Sequence, residues 1–130
     1  PTFTSEESAR ARGESISIGA KALLIKGDDR WALFVLPADR KLDSAAARRC
    51  LGAKKVRFAT AAELLELTGL VPGSVPPFGR PVLPLGLVAD PALCEQAKVA
   101  FNAGSLRTSI VLASADYRQV CGAEWLVIST

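Results

Sequence analysis

The sequence has 130 residues, of which 49% are hydrophobic, and this suits one compact domain with a sizeable core. It contains no histidine and only three cysteines, far apart, which excludes Ser-His-Asp and Cys-His catalysis and argues against a zinc site. The formal net charge is only +3, but residues 40–57 carry seven basic side chains and one acidic one, and such a segment can bind phosphates or form an ordinary solvated surface.

The first half of the chain predicts strands and short helices in alternation. Thr60 and Glu63 have the spacing of a capping box, and Asp43 can cap an earlier helix that Gly52 ends. In chain order we expect a helix from residue 4 to about 13, strands at 17–26 and 30–37, a helix at 44–51, a strand at 55–58 and a helix from 60 to about 67. The turn at residues 27–29 makes the first two strands a hairpin.

The second half begins with a proline-rich loop and then returns to short elements. The loop, residues 70–84, holds five prolines and cannot be a helix or a central strand. After it we expect a strand at 85–89, a helical turn at 91–95, strands at 99–102 and 108–112, a helix at 114–120 and a strand at 125–129. This order predicts a single α/β (α+β) domain over residues 1–130, with a central mixed β-sheet.

One charged residue interrupts the first strand. Lys21 alternates onto the same face as Leu23 and Ile25, and the other face is apolar as well, which is typical of a central strand buried on both sides. Burying an unpaired ammonium group costs several kcal/mol or lowers its pKa. Lys21 is therefore either the floor of a pocket for an anionic or carbonyl group, or a lysine at a strand end that reaches water.

Two glycine-containing segments have the composition to present backbone amides to an oxyanion or a phosphate. Residues 72–79 (PGSVPPFG) combine prolines that fix φ with glycines that permit tight turns, so this loop is long but rigid. Residues 101–105 (FNAGS) place a Gly-Ser turn directly after a strand. The alternatives are a rigid connector and an ordinary hairpin turn, and Asp90 is more typical of a helix cap than of a base.

Five motifs, in order, resemble the YbaK/prolyl-tRNA-synthetase-associated (ProX-like) family of aminoacyl-tRNA editing domains. They are FTSEESA at residues 3–9, AKALLI at 20–25, LD at 42–43 with LGAKKV at 51–56, TG at 68–69 with PGSVPPFG at 72–79, and NAGS at 102–105. Each motif alone is short, but the ordered set spans nearly the whole sequence. We expect the helix and strand with which family members usually begin to be missing here.

The resemblance implies a single domain around a mixed sheet that hydrolyses the ester between tRNA and a wrongly attached amino acid, without metal, cofactor or catalytic histidine. The key side chain is a lysine at the start of a strand, which here is Lys21. The substrate pocket is expected at Gly73, Ser74, Val75, Pro77, Phe78, Gly79, Ala103, Gly104, Ser105 and Ser109. The basic segment becomes an expected contact for the tRNA backbone, through Arg40, Lys41, Arg48, Arg49, Lys54, Lys55 and Arg57.

The same resemblance sets the expected partners and leaves the substrate open. We expect a cytoplasmic protein that binds the aminoacylated 3′ end of tRNA, with an aminoacyl-tRNA synthetase as a further partner and no DNA or membrane. Gly73-Ser74 and Pro76 depart from the Gly-Gly and the Ser or Thr of many members, so the amino acid stays open among small ones such as alanine, serine, threonine and cysteine. The alternatives are a non-catalytic tRNA- or synthetase-binding module of the same fold and a general nucleic-acid-binding protein.

Overall fold

A computed structural model describes residues 19–78, 85–102 and 109–130 of the chain. The strands are β1 (Ala20–Gly27), β2 (Arg30–Pro37), β3 (Val56–Phe58), β4 (Gly86–Ala89), β5 (Lys98–Asn102), β6 (Ser109–Ala113) and β7 (Glu124–Trp125). The helices are α1 (Ser44–Leu51), α2 (Ala61–Thr68), a 3-10 helix (Pro91–Cys94) and α3 (Ser114–Val120). The helix expected at residues 4–13 and the turn expected at 103–105 lie outside the described ranges.

Five of these strands form a mixed sheet in the order β3-β1-β2-β4-β7. β1 and β2 are the predicted hairpin, paired antiparallel from Ala20 opposite Pro37 to Gly27 opposite Arg30. β3 pairs antiparallel with the last residues of β1, while β4 and β7 continue the sheet in parallel beyond β2. The predicted fold class, an α/β domain with a central mixed sheet, is confirmed.

A second, two-stranded sheet joins the first at one point. β5 and β6 pair antiparallel, and Asn102 at the end of β5 lies opposite Ser109 at the start of β6. An isolated parallel bridge links Gly19, just before β1, to Ala100 in β5. The start of β1 therefore lies beside β5, and this junction positions the candidate site.

The two faces of the main sheet carry separate hydrophobic cores, because successive side chains of a strand point to opposite faces. The large core consists of Leu24, Leu33, Val35, Leu64, Val75, Leu85, Leu87, Ala89, Leu93, Val99, Phe101, Tyr117 and Cys121. The small core, on the face that α1 covers, consists of Ile25, Ala32, Phe34, Ala46, Ala47, Leu51, Val88 and Ile128. The even-numbered positions 20, 22 and 24 of β1 contribute to the large core, and positions 23 and 25 to the small one.

Local signals determine where the helices begin and end. The Asp43 carboxylate accepts hydrogen bonds from the first backbone N–H groups of α1, and Gly52 ends this helix with a φ of 61°. The capping box predicted at the start of α2 is present. The C-terminal end of α1 reaches the hairpin turn, where a Cβ on Gly27 would lie 2.6 Å from Cδ1 of Leu51. Within the described ranges, no helix has the length and apolar character needed to span a bilayer.

The predicted extent of the last strand is wrong. A buried carboxylate binds the backbone N–H groups that a longer strand would use. β7 has two residues, whereas the sequence predicts a strand at 125–129. The Asp90 carboxylate accepts the backbone N–H groups of Ile128 and Ser129, each at 2.9 Å. These groups are not available to a neighbouring strand, and Ser129 makes an isolated bridge to Leu42 instead.

Candidate active site

Lys21 lies at the second position of β1, opposite Leu36 of β2. Its side chain is half-buried, and this burial lowers its pKa from the usual 10.5, while the carboxylate of Asp39 acts in the opposite direction. Asp39 lies in the turn that follows β2. Lys21 is therefore a cation in a partly desolvated position, where its attraction for an anion is stronger than in bulk water.

Asn102 links the proline-rich loop to β5, the strand that lies beside the start of β1. The bridge between Gly19 and Ala100 places β1 beside β5, and two residues further along these strands lie Lys21 and Asn102. The side-chain amide of Asn102 donates a hydrogen bond to the carbonyl oxygen of Gly73 at 2.8 Å. Two residues of the predicted site, Lys21 and Gly73, thus lie at the same end of the sheet.

Strand alternation places the side chains of Lys21 and Asn102 on the same side of this junction. Ala20 and Phe101, which precede them in sequence, both contribute to the large core. The side chains of Lys21 and Asn102 therefore point away from that core. The role of Asn102 was not predicted, although a polar residue at the end of the apolar strand at 99–102 is a signal for it.

The first part of the loop is a tight turn that uses its own polar groups. Ser74 N donates to Val71 O at 3.1 Å, and Pro72 and Gly73, the latter with a φ of 87°, occupy the central positions of a type II turn. The Ser74 hydroxyl donates to Val71 O at 2.8 Å and accepts from Val71 N at 3.2 Å. Ser74 is thus a buried, structural part of the turn, and the peptide between Pro72 and Gly73 forms its tip.

The second part of the loop is held by side chains in the large core. Val75 is 6% exposed and packs in that core. The Tyr117 hydroxyl donates to the carbonyl oxygen of Pro77 at 2.6 Å, and burial raises the pKa of this hydroxyl, so it remains a donor. The ring of Phe78 meets that of Tyr117 edge to face, with centroids 5.6 Å apart. The side chains of Val75 and Phe78 therefore lie on the core side of the loop, away from Lys21.

Part of the predicted pocket lies outside the described ranges, namely Gly79, Ala103, Gly104 and Ser105. Ser109 is the first residue of β6 and pairs with Asn102. Its backbone therefore lies at the same end of the sheet as Lys21 and Gly73. Among the described residues of the predicted pocket, Gly73 and Ser109 thus lie at the same end of the sheet as Lys21, whereas Val75, Pro77 and Phe78 are held on the core side of the loop.

The predicted basic segment divides between opposite ends of the main sheet. Arg40 and Lys41 follow β2 at the end where β1 begins, which we term the Lys21 end. Lys54 and Lys55 lie at the hairpin-turn end, where their backbone N–H groups donate to the Asp28 carboxylate. β1 and β2 have 8 residues each. The two ends are therefore roughly 20 Å apart at about 3.3 Å per residue, and the predicted cations do not form one continuous patch.

Asp90 is a structural carboxylate, and its predicted role as a helix cap is confirmed. It accepts the N–H of Ala92 at 2.8 Å and the hydroxyl of Ser129 at 2.7 Å, in addition to the two backbone groups described above. Burial disfavours its charge, but these hydrogen bonds outweigh that effect and lower its pKa. The carboxylate therefore joins β4 to the C-terminal segment and is not available as a base.

The remaining candidates for chemistry are weak. The three cysteines are unpaired thiols, and no group of three or more His, Cys, Asp or Glu side chains within the described ranges is arranged to hold a metal ion. A groove of about 270 Å³ lies between α1 and residues 126–128. Apart from Arg49 its lining is apolar or a thiol, so it does not suit the charged end of a tRNA.

Comparison with known proteins identifies the family to which this chain belongs. The sequence profile of the aminoacyl-tRNA editing domain family matches residues 1–120. A relative from Escherichia coli K12, the multifunctional Ser/Thr-tRNA deacylase ProXp-y, is 39% identical over 125 residues, which cover 92% of this chain and 74% of the relative. The chain belongs to the aminoacyl-tRNA editing domain family, and the resemblance of its motifs to that family is confirmed.

A synthetase and a solved structure show the same similarity. A proline–tRNA ligase from Shouchella clausii is 33% identical over 100 residues, which cover 77% of this chain and 17% of the ligase. A crystal structure of a protein proposed to be a trans-editing enzyme for prolyl tRNA synthetase matches with a TM-score of 0.89 at 29% identity, covering 99% of this chain and 81% of that one. The matched region is thus a small part of the ligase and most of the other two relatives.

Proposed function

We propose that this protein acts in trans to remove a small, wrongly attached amino acid from tRNA by hydrolysing the ester bond between them. Membership of the editing domain family makes it a hydrolase of aminoacyl-tRNA esters. One observation carries the site assignment. Lys21 is half-buried near the start of β1, and the neighbouring strand β5 carries Asn102, which donates a hydrogen bond to Gly73. The name of the Escherichia coli relative, a Ser/Thr-tRNA deacylase, supports a small amino acid as the one removed.

Lys21 supplies the positive charge that this reaction uses. The 3′ end of a tRNA carries phosphate, and attack on an ester develops negative charge on the carbonyl oxygen in the transition state. A partly desolvated ammonium group stabilises either charge more than one in bulk water does. We therefore assign Lys21 to the terminal adenosine phosphate or to the ester itself.

The turn at Pro72 and Gly73 supplies a backbone donor whose direction is fixed. The peptide between Gly73 and Ser74 is held at both sides, because Asn102 donates to its carbonyl oxygen and its N–H donates to Val71. The preceding peptide forms the tip of the turn. Its N–H, that of Gly73, is the donor that we assign to the aminoacyl group or to the oxyanion.

Water completes the proposed reaction. It attacks the ester carbonyl, assisted by the substrate's own amine or hydroxyl, and the tetrahedral intermediate then releases the free amino acid and the 3′ hydroxyl of the tRNA. Positioning and fixed electrostatic donors then provide the rate acceleration without a side-chain nucleophile. An aminoacyl-tRNA synthetase is the further partner in this proposal, because the chain also matches part of a proline–tRNA ligase.

Deacylation of tRNA charged with Ala, Ser, Thr, Cys or Pro tests the proposal, with wild type beside Lys21→Ala and the charge-retaining Lys21→Arg. We expect wild type to hydrolyse one or a few of these esters and Lys21→Ala to lower kcat by about 10²–10³-fold. Circular dichroism of each variant controls for the fold. Equal rates for wild type and Lys21→Ala would remove Lys21 from the mechanism, and binding of tRNA without any hydrolysis would favour the non-catalytic module.

A further inference from the structure

Four basic residues lie at the hairpin-turn end of the main sheet, away from the residues to which the proposed chemistry is assigned. They are Arg30, Arg48, Lys54 and Lys55, and we term this group the basic corner. The hairpin turn and the end of α1 meet here, since Nη2 of Arg30 lies 3.6 Å from the position of a Cβ on Gly52. Arg30 extends the set beyond the segment that the sequence singles out.

The side chains of the basic corner are not neutralised by ion pairs within the described ranges. The ion pairs present there join Arg40 to Glu95 at 3.4 Å and Arg57 to Glu63 at 2.7 Å. Arg57 makes a second bond to the same carboxylate at 2.8 Å. Two of the seven predicted tRNA contacts therefore already have acidic partners, whereas the cations of the corner are available to an external anion.

The carboxylate in the middle of the corner bonds to backbone rather than to the cations. Asp28 accepts the N–H groups of Lys54 and Lys55 at 3.1 and 3.2 Å, and its own N–H donates to Lys55 O at 3.1 Å. These bonds hold the backbone of both lysines while the residues stay exposed. With Asp29 as the other carboxylate of the turn, the corner has four basic residues and two acidic ones, so it has a positive potential.

We infer that the basic corner binds the phosphate backbone of the tRNA body while the aminoacylated 3′ end reaches Lys21. This inference rests on the proposed function, because it concerns a second contact between the protein and the same tRNA substrate. The corner lies roughly 20 Å from Lys21, beyond the reach of the terminal nucleoside alone. Unpaired cations on a fixed backbone suit phosphates, which position a nucleic acid without reading its sequence. Binding at the corner is therefore sensitive to salt and tolerant of tRNA sequence.

Two substrates and two charge-matched variants test the inference. Lys54→Gln/Lys55→Gln removes two charges, and Lys54→Arg/Lys55→Arg keeps them; neither alters the backbone bonds to Asp28. The substrates are the charged tRNA that wild type hydrolyses best and the corresponding 3′-aminoacyl-adenosine, which cannot span to the corner. Direct binding of uncharged tRNA is measured in parallel over a range of salt concentrations, so that the test does not depend on hydrolysis.

We expect the glutamine variant to weaken tRNA binding about tenfold at low salt, with a log–log salt dependence shallower by about 1.5. Its rates on 3′-aminoacyl-adenosine equal those of wild type, and the arginine variant keeps tRNA binding. Equal losses on both substrates would place the effect at the catalytic junction and overturn the inference. Unchanged tRNA binding would also overturn it. The basic corner would then be either a contact for an acidic protein surface or an ordinary solvated surface. If wild type binds tRNA through the corner but hydrolyses nothing, the inference stands and the proposed function fails.

Discussion

At each end of the main sheet one carboxylate accepts hydrogen bonds from backbone N–H groups, but the two carboxylates differ in burial. At the Lys21 end, Asp90 collects backbone N–H groups of the C-terminal segment in the interior. At the hairpin-turn end, Asp28 collects those of Lys54 and Lys55 at the surface. Water can replace a carboxylate at the surface but not one in the interior. The same arrangement therefore stabilises the fold at one end and only arranges a surface at the other.

The two proposed contacts with tRNA, the loop and the basic corner, differ in which part of the chain is held in place and which part faces the ligand. The loop at residues 71–78 is held by side chains in the core and offers the backbone of its turn, whereas the basic corner is held by its backbone and offers side chains. A developing oxyanion needs donors at fixed positions, which backbone amides provide. A phosphate backbone needs charge near it rather than one geometry, which long flexible cations provide.

Removing the buried carboxylate should have the largest effect on stability. Asp90→Ala leaves the N–H groups of Ile128 and Ser129 without their buried acceptor, and we expect a loss of about 3 kcal/mol or more in the free energy of unfolding. Asp28→Ala is the matched control at the surface, with an expected loss of about 1 kcal/mol or less. Chemical denaturation measures both. Similar losses in the two variants would contradict the role of burial in this comparison.

The charge of Asp90 should also make the fold sensitive to acid. Its hydrogen bonds lower its pKa in the folded state, so the unfolded state binds the proton more readily. The stabilisation is therefore complete above the unfolded value of about 3.9 and is lost as pH falls through the lower, folded value. Unfolding of wild type and Asp90→Ala between about pH 6 and pH 3 should show their difference narrowing as pH falls. A gap that widens on acidification would reverse the assigned direction of the shift.

The hydroxyl beneath the loop should matter for stability and for catalysis. Tyr117→Phe keeps the ring packing against Phe78 but leaves the buried carbonyl of Pro77 without its donor, which costs about 1–3 kcal/mol. Deacylation should fall with it, because the loop is no longer held at this point. Thr68→Val removes a partly exposed hydroxyl that donates to Leu64 O and accepts from Leu70 N; because water can replace it, we expect a smaller loss of stability and of activity. An effect of Tyr117→Phe no larger than that of Thr68→Val would show that the loop is held by packing alone.

The amide that joins the loop to β5 should affect catalysis more than stability. Asn102→Ala removes the hydrogen bond to Gly73, and we expect about 1 kcal/mol of destabilisation with kcat lowered about tenfold and KM little changed, because the turn peptide loses its fixed direction. Gln119→Ala, which truncates an exposed amide side chain on α3, is the control. A change in KM alone would instead make Asn102 a contact for binding.

Elements with local signals could be predicted from the sequence almost residue by residue. The bounds of β2, α1 and α3 are as predicted, because Asp43, Gly52 and the turn at 27–29 act within a few residues of the element that they limit. The shortened last strand could not be predicted, since it depends on Asp90, which is 38 residues from Ile128 in sequence. Contacts at such separations follow from the fold and not from local pattern.

The candidate site shows the same division between local and distant information. Lys21 stands out from the sequence because a charge in an apolar strand conflicts with its neighbours. The link from Asn102 to Gly73 spans 29 residues, and the partners of Arg40 and Arg57 are visible only once Glu95 and Glu63 are placed. Sequence therefore singles out residues that are unusual for their position, while their partners and their grouping require the structure.

The smallest expected effect tests whether the corner works through charge or through the arrangement of its backbone. Asp28→Asn removes a negative charge, keeps one acceptor oxygen for the backbone N–H groups, and suits the positive φ of 54° at this position. If charge dominates, tRNA binding at low salt becomes tighter, by about threefold or less, and the gain disappears at high salt. Equilibrium binding of uncharged tRNA measures this, with Lys54→Gln/Lys55→Gln as the opposite charge change. Weaker binding by Asp28→Asn would mean that the carboxylate acts mainly by ordering the two lysines, and the corner would then resemble the loop in depending on a fixed backbone.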